Sequence, residues 1–244
     1  SIWPWFLPIS PPKTVRSIVL GIVFLSGCAG APQLPVKPDQ NFWQQPEKRV
    51  GILVSKMPTP DVYLPGASCL LCLAAAKVAN SSLSKHTKSL LVDDVVVIAA
   101  DMNELLQSKD IEVLEISQEL NLRKLPKYKS ETPNSTKRDF SSFANQYNIS
   151  HLLVLDFNAV GMHRTYSSYI PTSEPKGYFE ALGYLVDLSD NTYEWYRPVQ
   201  VLKAVSDEWD ESPSFPGLTN AYYRAIAEGK EIIISSFGTE KIVQ

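Results

Sequence analysis

The sequence predicts an α/β fold, in the wider sense α+β, in which helices pack on one mixed sheet. Two early runs with strand character, residues 49–55 and 111–116, are separated by segments of helical character, an order that places such strands in parallel. Three later runs, residues 151–157, 178–188 and 193–202, follow one another as in an antiparallel meander. We therefore expect parallel N-terminal strands that an antiparallel meander continues.

The N-terminal half of the domain is predicted from its apolar pattern. Residues 49–55 are apolar at nearly every position, as in a strand that is buried on both faces. Residues 70–79 are rich in alanine and leucine, which predicts a short helix, and the polar residues 80–86 predict a loop. Residues 91–109 contain β-branched residues, but their length and the helical spacing of their apolar residues favour a helix.

The C-terminal half contains clearer boundary signals. Residues 121–136 are polar and contain prolines, which predicts a loop. Residues 136–139 resemble a capping box and predict a helix that Asn148 can end. Residues 189–192 predict the turn of the last hairpin, and residues 219–237 predict a final helix with an apolar stripe.

The composition is that of an ordinary globular protein. The chain has 244 residues, of which 44% are hydrophobic and 20% are charged. Its formal net charge is −3, and no dense patch of lysine and arginine occurs, which argues against sequence-independent binding of nucleic acid.

The N-terminal residues have the order of a secretory signal peptide. Lys13 and Arg16 precede a short apolar run at residues 18–25, and small residues then lead to Cys28. The apolar run is shorter than the roughly 20 residues of a membrane-spanning helix. We therefore predict a signal peptide over residues 1–27.

The residues Leu25-Ser26-Gly27-Cys28 resemble the lipobox of bacterial lipoproteins. The resemblance implies that Cys28 carries lipid, becomes the mature N terminus and attaches the protein to a membrane. By the sorting rule of such lipoproteins, Ala29 in the next position implies the periplasmic face of the outer membrane. The alternative is an ordinary signal peptide in which a cysteine occurs by chance.

The remaining chain divides into three parts. Residues 28–46 contain four prolines and predict an extended tether. Residues 47–238 predict one periplasmic α/β domain, and residues 239–244 a short C-terminal tail.

Several features beyond the lipobox carry a further resemblance. Residues 50–53 form an apolar Val-Gly-Ile-Leu strand after a Pro-rich stretch, and residues 147–154 lead from a helix end into another apolar strand. Residues 183–188 end a later strand, and Trp195 lies on its return strand. These features resemble the CsgG-like and TolB-N-like domains of periplasmic lipoproteins, which implies their fold. The CsgG channel needs membrane hairpins with about 9–11 residues per strand, which residues 159–177 do not supply.

Cys69 and Cys72 form a Cys-x-x-Cys pattern. A structural disulfide suits an oxidising compartment and is the favoured interpretation. Buried free thiols, a redox pair activated by a helix N terminus, and a metal site remain as alternatives. The intervening leucines depart from the flanks of thioredoxin-like sites, and the sequence has no second cysteine pair to complete a metal site.

The sequence contains no His-Glu-x-x-His motif, no Gly-x-Ser-x-Gly motif and no Gly-rich phosphate loop, so we predict no enzyme, cofactor or metal site. His151 opens a buried strand and is predicted to be a packed residue. His163, Arg164, Tyr166 and Tyr169 share one loop and predict a partner surface, because arginine and tyrosine are favoured anchors of interfaces. A solvated hairpin loop is the alternative.

These observations favour a non-enzymatic accessory or assembly module of a cell-envelope complex, with envelope proteins as partners. One alternative is a CsgG-like oligomeric secretion component, which would be a homo-oligomer. The other is a periplasmic thiol–disulfide protein that uses Cys69 and Cys72.

Overall fold

The computed structural model describes residues 31–45, 47–117, 121–206 and 208–238. The chain divides into two units, residues 1–32 and residues 33–244. The predicted signal peptide, Cys28 and the tail 239–244 lie outside the described residues, so their assignments stay predictions.

The helices and strands of the described residues follow the predicted order with additions. They are α1 (Gln40–Gln44), β1 (Arg49–Val54), β2 (Asp61–Tyr63), α2 (Leu70–Ala79), α3 (Ser81–Thr87), α4 (Asp93–Gln107), β3 (Glu112–Ile116), α5 (Ser142–Tyr147), β4 (His151–His163), β5 (Tyr166–Ser167), β6 (Ile170–Pro171), β7 (Lys176–Asp187), β8 (Thr192–Lys203) and α6 (Pro216–Gly238). A short 3-10 helix spans Leu122–Lys124.

The central sheet is mixed, as predicted. Its order is β3-β1-β4-β7-β8, and β2 pairs with the far end of β4. β1 pairs in parallel with β3 and β4, whereas β4, β7 and β8 pair antiparallel. β5 and β6 form a separate two-stranded hairpin between β4 and β7. The α/β prediction with an antiparallel meander is therefore confirmed.

The fourth strand extends well past its predicted end. The sequence places that end at Phe157, but β4 continues to His163 because β2 and β7 both pair with the added residues. A register shift after Phe157 accommodates the extension. The connection between β4 and β7 is therefore much shorter than residues 159–177.

Apolar side chains cover both faces of the sheet. On one face, α4 and α6 close the main core, whose large members include Ile98, Met102, Leu106, Leu153, Leu155, Phe179, Trp195, Tyr222 and Phe237. On the other face lies a second cluster that contains Phe140, Phe143, Leu152, Val154 and Tyr184. Leu152 and Leu153 enter different clusters because successive strand residues point to opposite faces. Among the described residues, none of the helices combines the length and the apolar character that crossing a bilayer requires.

The predicted loop at residues 80–86 is wrong, because this segment forms most of α3. Leu83 is buried in the main core, and the hydroxyl of Thr87 donates to the carbonyl oxygen of Leu83 at 2.8 Å. His86 Nε2 lies 2.7 Å from the hydroxyl oxygen of Thr219 on α6. These tertiary contacts override the weak helix propensity of a serine-rich segment.

The helix predicted from Thr136 begins only at Ser142. The Thr136 hydroxyl donates to a backbone carbonyl two residues ahead and so does not cap the helix. The Asp139 carboxylate accepts the N–H of Ser141 at 2.9 Å, which forms a turn before the helix. Asn148 ends the helix at a positive φ of 51°, as predicted.

Residues 33–45, which we call the strap, pack on the domain where the sequence predicts an extended tether. The backbones of Val36 and Tyr196 exchange two hydrogen bonds of 3.0 Å at the edge of β8. Asp39 caps α1 by accepting the N–H of Phe42 at 2.9 Å, and Phe42 is buried in the main core. The burial of this one aromatic side chain explains why the strap follows the domain surface.

Candidate functional site

The structure contains the disulfide between Cys69 and Cys72 that the sequence favours, with a Cα–Cα distance of 4.9 Å. Cys69 is the N-cap of α2, and its sulfur accepts the N–H of Cys72 at 2.9 Å. Cys72 is buried, whereas Cys69 is exposed. The hydroxyl of Tyr169 lies 3.7 Å from the Cys69 sulfur, so the hairpin meets the start of α2 at the disulfide.

Asn80 connects α2 to the base of the hairpin. This buried side chain donates to the hydroxyl oxygen of Tyr166 at 2.7 Å and accepts from Arg164 Nη1 at 3.0 Å. Tyr166 is itself buried in a small apolar cluster with Cys72. Gly66 passes so close that a Cβ would lie 1.8 Å from the Tyr166 carbonyl oxygen, at a φ of +88° that favours glycine. The disulfide helix and the hairpin are therefore one packed unit.

The four residues of the predicted partner surface have different environments. His163 is half-buried, and its ring centroid lies 5.1 Å from that of a tyrosine of β7. Arg164 lies 4.8 Å from the ring centroid of a tryptophan before α6 and donates to the carbonyl oxygen of Ser173. Tyr166 is buried, and Tyr169 alone of the four is exposed. The first three therefore hold the loop in place rather than form an open surface.

The exposed part of this unit is strongly apolar. On α2, the exposed fractions are 86% for Leu70, 70% for Leu71 and 74% for Val78. On the hairpin they are 55% for Tyr169 and 69% for Ile170. We call these five residues the docking surface. Sequence analysis singled out only Tyr169, because the apolar residues of α2 predict burial and not exposure.

A basic cleft of about 520 Å³ adjoins α2 and α3. Its charged lining residues are Asp61, Lys77, Lys85 and Lys88. Lys88 lies 3.7 Å from the Asp61 carboxylate, which leaves an excess of positive charge in the cleft. The docking surface and the basic cleft are therefore adjacent, because α2 contributes Lys77 to the cleft and apolar residues to the docking surface.

A second polar site lies at the other end of β4, under the strap. One imidazole nitrogen of His151 and one carboxylate oxygen each of Asp187 and Glu194 lie within 4.8 Å of one another. The ammonium group of Lys48 lies 3.6 Å from the ring centroid of Phe42 in the strap. Lys48 Nζ and His151 Nε2 are buried and have no hydrogen-bond partner among the described residues.

Burial dominates the electrostatics of this second site. It lowers the pKa of His151 against the opposing effect of Asp187, and it lowers the pKa of Lys48. It also raises the pKa of Glu194, and the Asp187 carboxylate acts in the same direction. Each shift favours the less charged form, as expected where charged groups lack close partners.

Strand pairing brings His151, Asp187 and Glu194 together. His151 at the start of β4 lies opposite Asp187 at the end of β7. On β8, Trp195 pairs with Leu185, whereas Val186 pairs with Tyr193, so Glu194 is the extra residue of a β-bulge. No local motif predicts this cluster, because its members come from three strands.

Comparisons with known proteins found solved structures of low similarity. No protein-family model and no curated protein matches the sequence. A hypothetical protein of Chlamydia trachomatis is 12% identical, with 78% of this chain and 97% of that chain covered and a TM-score of 0.33. A protein of Xanthomonas campestris from family DUF330 is 14% identical, with coverage of 83% and 93% and a TM-score of 0.32. A lipoprotein of Neisseria meningitidis is 11% identical, with coverage of 75% and 99% and a TM-score of 0.27. At these TM-scores the resemblances carry no argument about function.

Proposed function

We propose that this chain is a non-enzymatic lipoprotein of the outer membrane, held on its periplasmic face by lipid on Cys28. Its domain binds an envelope protein through the docking surface and serves as an accessory or assembly module. The lipobox supports the anchor, and the exposed apolar face of α2 supports the binding role.

The observation that carries this proposal is that α2 is apolar on every side although only one side is buried. Its ten residues include one charged side chain, Lys77. Cys72 and Ala76 face the domain, whereas Leu71 and Val78 face solvent. A helix of this composition is normally covered on all sides. Burial of the exposed face against a partner would remove this apolar surface from water.

The favoured occupant is a protein with an apolar groove bordered by acidic side chains. Leu71 and Val78 lie about two turns apart on one helix face, a spacing typical of helices that bind in grooves. Acidic groups on the partner would complement the basic cleft at Lys77 and Lys85. The disulfide and Asn80 fix the surface before binding, which reduces the entropy cost of association.

The docking surface and the strap lie at opposite ends of β4. The strap packs on His151 at the start of β4, and the hairpin follows His163 at its end. A strand of 13 residues spans about 40 Å, so the surface lies far from the point where the predicted tether enters the domain. This arrangement suits a module that reaches from a membrane to a partner.

Capture of crosslinked partners from native envelopes tests the docking surface. The full chain is expressed at native level, unchanged, with Leu71→Asp and Val78→Asp combined, or with Val96→Asp as control. Val96 is an exposed apolar residue of α4, outside the surface. We expect wild type and control to recover the same partner and the double variant to recover at least about tenfold less, since buried interface anchors contribute most of the affinity.

Three outcomes would contradict the proposed role. One is equal recovery of the partner by the double variant, and another is equal loss in the Val96→Asp control. The third is vesicle flotation of the unlipidated domain that the double variant abolishes, because this result would assign the surface to lipid. Circular dichroism of each variant separates lost binding from lost folding.

Thiol–disulfide exchange is a second candidate, favoured by the exposed Cys69 sulfur at a helix N terminus. A thiolate of a protein dithiol would attack this sulfur, and the bond to Cys72 would break to leave a Cys72 thiolate that takes a proton. The partner's second thiol would then release Cys69, which completes the oxidation of the partner. Oxidation of a dithiol peptide to its disulfide that disappears in Cys69→Ser would support this candidate, and no such oxidation by the native protein would exclude it.

A further inference from the structure

We propose that His151, Asp187 and Glu194 bind a Zn²⁺ ion at the end of the sheet that the strap covers. One imidazole and two carboxylates provide the nitrogen and oxygen ligands that Zn²⁺ accepts, and a water molecule would take the fourth tetrahedral position. The inference is independent of the docking surface, which lies at the other end of β4.

The hydrogen bonds of Ser150 prepare the imidazole to act as a ligand. Its hydroxyl donates to the carbonyl oxygen of Arg49 at 3.2 Å and lies 2.8 Å from His151 Nδ1. We therefore place the ring proton on Nδ1, which leaves the lone pair on Nε2. His151 is only 4% exposed, and its Nε2 atom lies 3.9 Å from the Asp187 carboxylate, an arrangement that a cation between the two atoms would stabilise.

Hydrogen bonds also orient the carboxylate of Asp187. Asp187 Oδ1 accepts from the backbone N–H and the hydroxyl of Ser189, at 2.8 and 2.7 Å. Its Oδ2 atom is the one that lies toward His151 Nε2. Hydrogen bonds that orient a ligand through its second polar atom are typical of metal sites. The β-bulge completes the set, because it supplies Glu194 as an extra residue on the adjacent strand.

The required movement of the ligand atoms is small. Tetrahedral zinc bonds of 2.0–2.2 Å place ligand atoms about 3.3–3.6 Å apart. The three candidate atoms lie within 4.8 Å of one another, so a contraction of at most about 1.5 Å brings them to the separation of zinc ligands. Asp187 and Glu194 are half-buried, which leaves their side chains room to rotate.

Lys48 does not replace the proposed ion. Its ammonium group lies against the Phe42 ring, and it makes no hydrogen bond to the carboxylates. Two carboxylates and one lysine leave a net negative charge at the site. Removal of the nearby positive charge should therefore strengthen the binding of a divalent cation.

Zn²⁺ at this site would also stabilise the strap. The rings of Phe42 and His151 meet edge to face with centroids 5.5 Å apart. An ion that fixes the His151 ring therefore fixes the surface on which the strap packs. We expect slower amide hydrogen exchange in residues 33–45 when the ion is bound.

Calorimetric titration of the mature chain with Zn²⁺, after removal of metal by a chelator and without a histidine tag, tests the site. We expect one Zn²⁺ per chain with micromolar or tighter affinity. Glu194→Gln should weaken binding at least about 100-fold, and Ser150→Ala about tenfold, since even indirect partners of a metal contribute 10–100-fold. Lys48→Met should strengthen binding severalfold.

The control is His163→Gln, which removes a histidine from the opposite end of the same strand and should leave the affinity unchanged. Visible absorption of bound Co²⁺ that changes in Glu194→Gln and not in His163→Gln would support the assigned ligands. Absence of saturable binding by the wild-type chain, or equal affinity in Glu194→Gln, would overturn the proposal. Thermal unfolding without metal confirms that each variant folds.

Discussion

Replacement of Trp195 by alanine should lower the free energy of unfolding by about 3–5 kcal/mol, the usual cost of deleting a buried indole. Trp195 is fully buried, and its ring centroid lies 5.0 Å from that of Phe237 on α6. A Cβ on Gly183 would lie 2.2 Å from this indole, so β7 has a glycine where the ring packs. Truncation therefore leaves a large cavity between the sheet and α6.

Urea unfolding monitored by circular dichroism measures this loss. Trp209→Ala is the matched control, because Trp209 is only partly buried at the margin of the main core. The control should cost clearly less than Trp195→Ala. A loss below about 1 kcal/mol for Trp195→Ala would mean that the indole does not hold α6 on the sheet.

Phe42→Ala should be the second most damaging substitution, at about 3–5 kcal/mol. Phe42 is buried among Trp43, His151 and Phe237, and it lies beneath the ammonium group of Lys48. Its removal deletes a core side chain and also leaves the buried Lys48 without its aromatic partner. The strap should then detach from the domain.

Hydrogen exchange followed by mass spectrometry separates detachment of the strap from global unfolding. In Phe42→Ala, residues 33–45 should exchange rapidly while peptides from β4 and β7 remain protected. Leu34→Ala is the control, because Leu34 is an exposed residue of the same strap. Unchanged protection of the strap in Phe42→Ala would contradict its assigned role.

The sequence predicted most of the helices and strands, because the hydrophobic pattern that indicates each of them lies within its own residues. The apolar runs of β1 and β4, the alternation of β7 and the helical spacing of α4 each required only adjacent residues. The strap, α3 and the extension of β4 depend on distant contacts instead. Phe42 of the strap and Leu83 of α3 are buried in the main core, and their neighbours in the sequence do not indicate this burial.

Among the candidate sites, too, some are predicted by residues that are adjacent in the sequence and others depend on distant contacts. Two nearby cysteines predicted the disulfide, since only three positions separate them. Of the four residues predicted to form a partner surface, only Tyr169 is exposed, because Arg164 and Tyr166 make hydrogen bonds with Asn80 that the sequence does not reveal. The proposed zinc ligands come from three strands, one of them at a bulge, and no spacing in the sequence encodes that arrangement.

The proposed role depends on attachment of this domain to a membrane by lipid on Cys28. Mass spectrometry of the N-terminal peptide from protein extracted from its native membrane tests this directly. The proposal predicts a peptide that begins at Cys28 and has the added mass of acyl chains. A peptide that contains residues upstream of Cys28, or that begins at Cys28 without lipid, would contradict it.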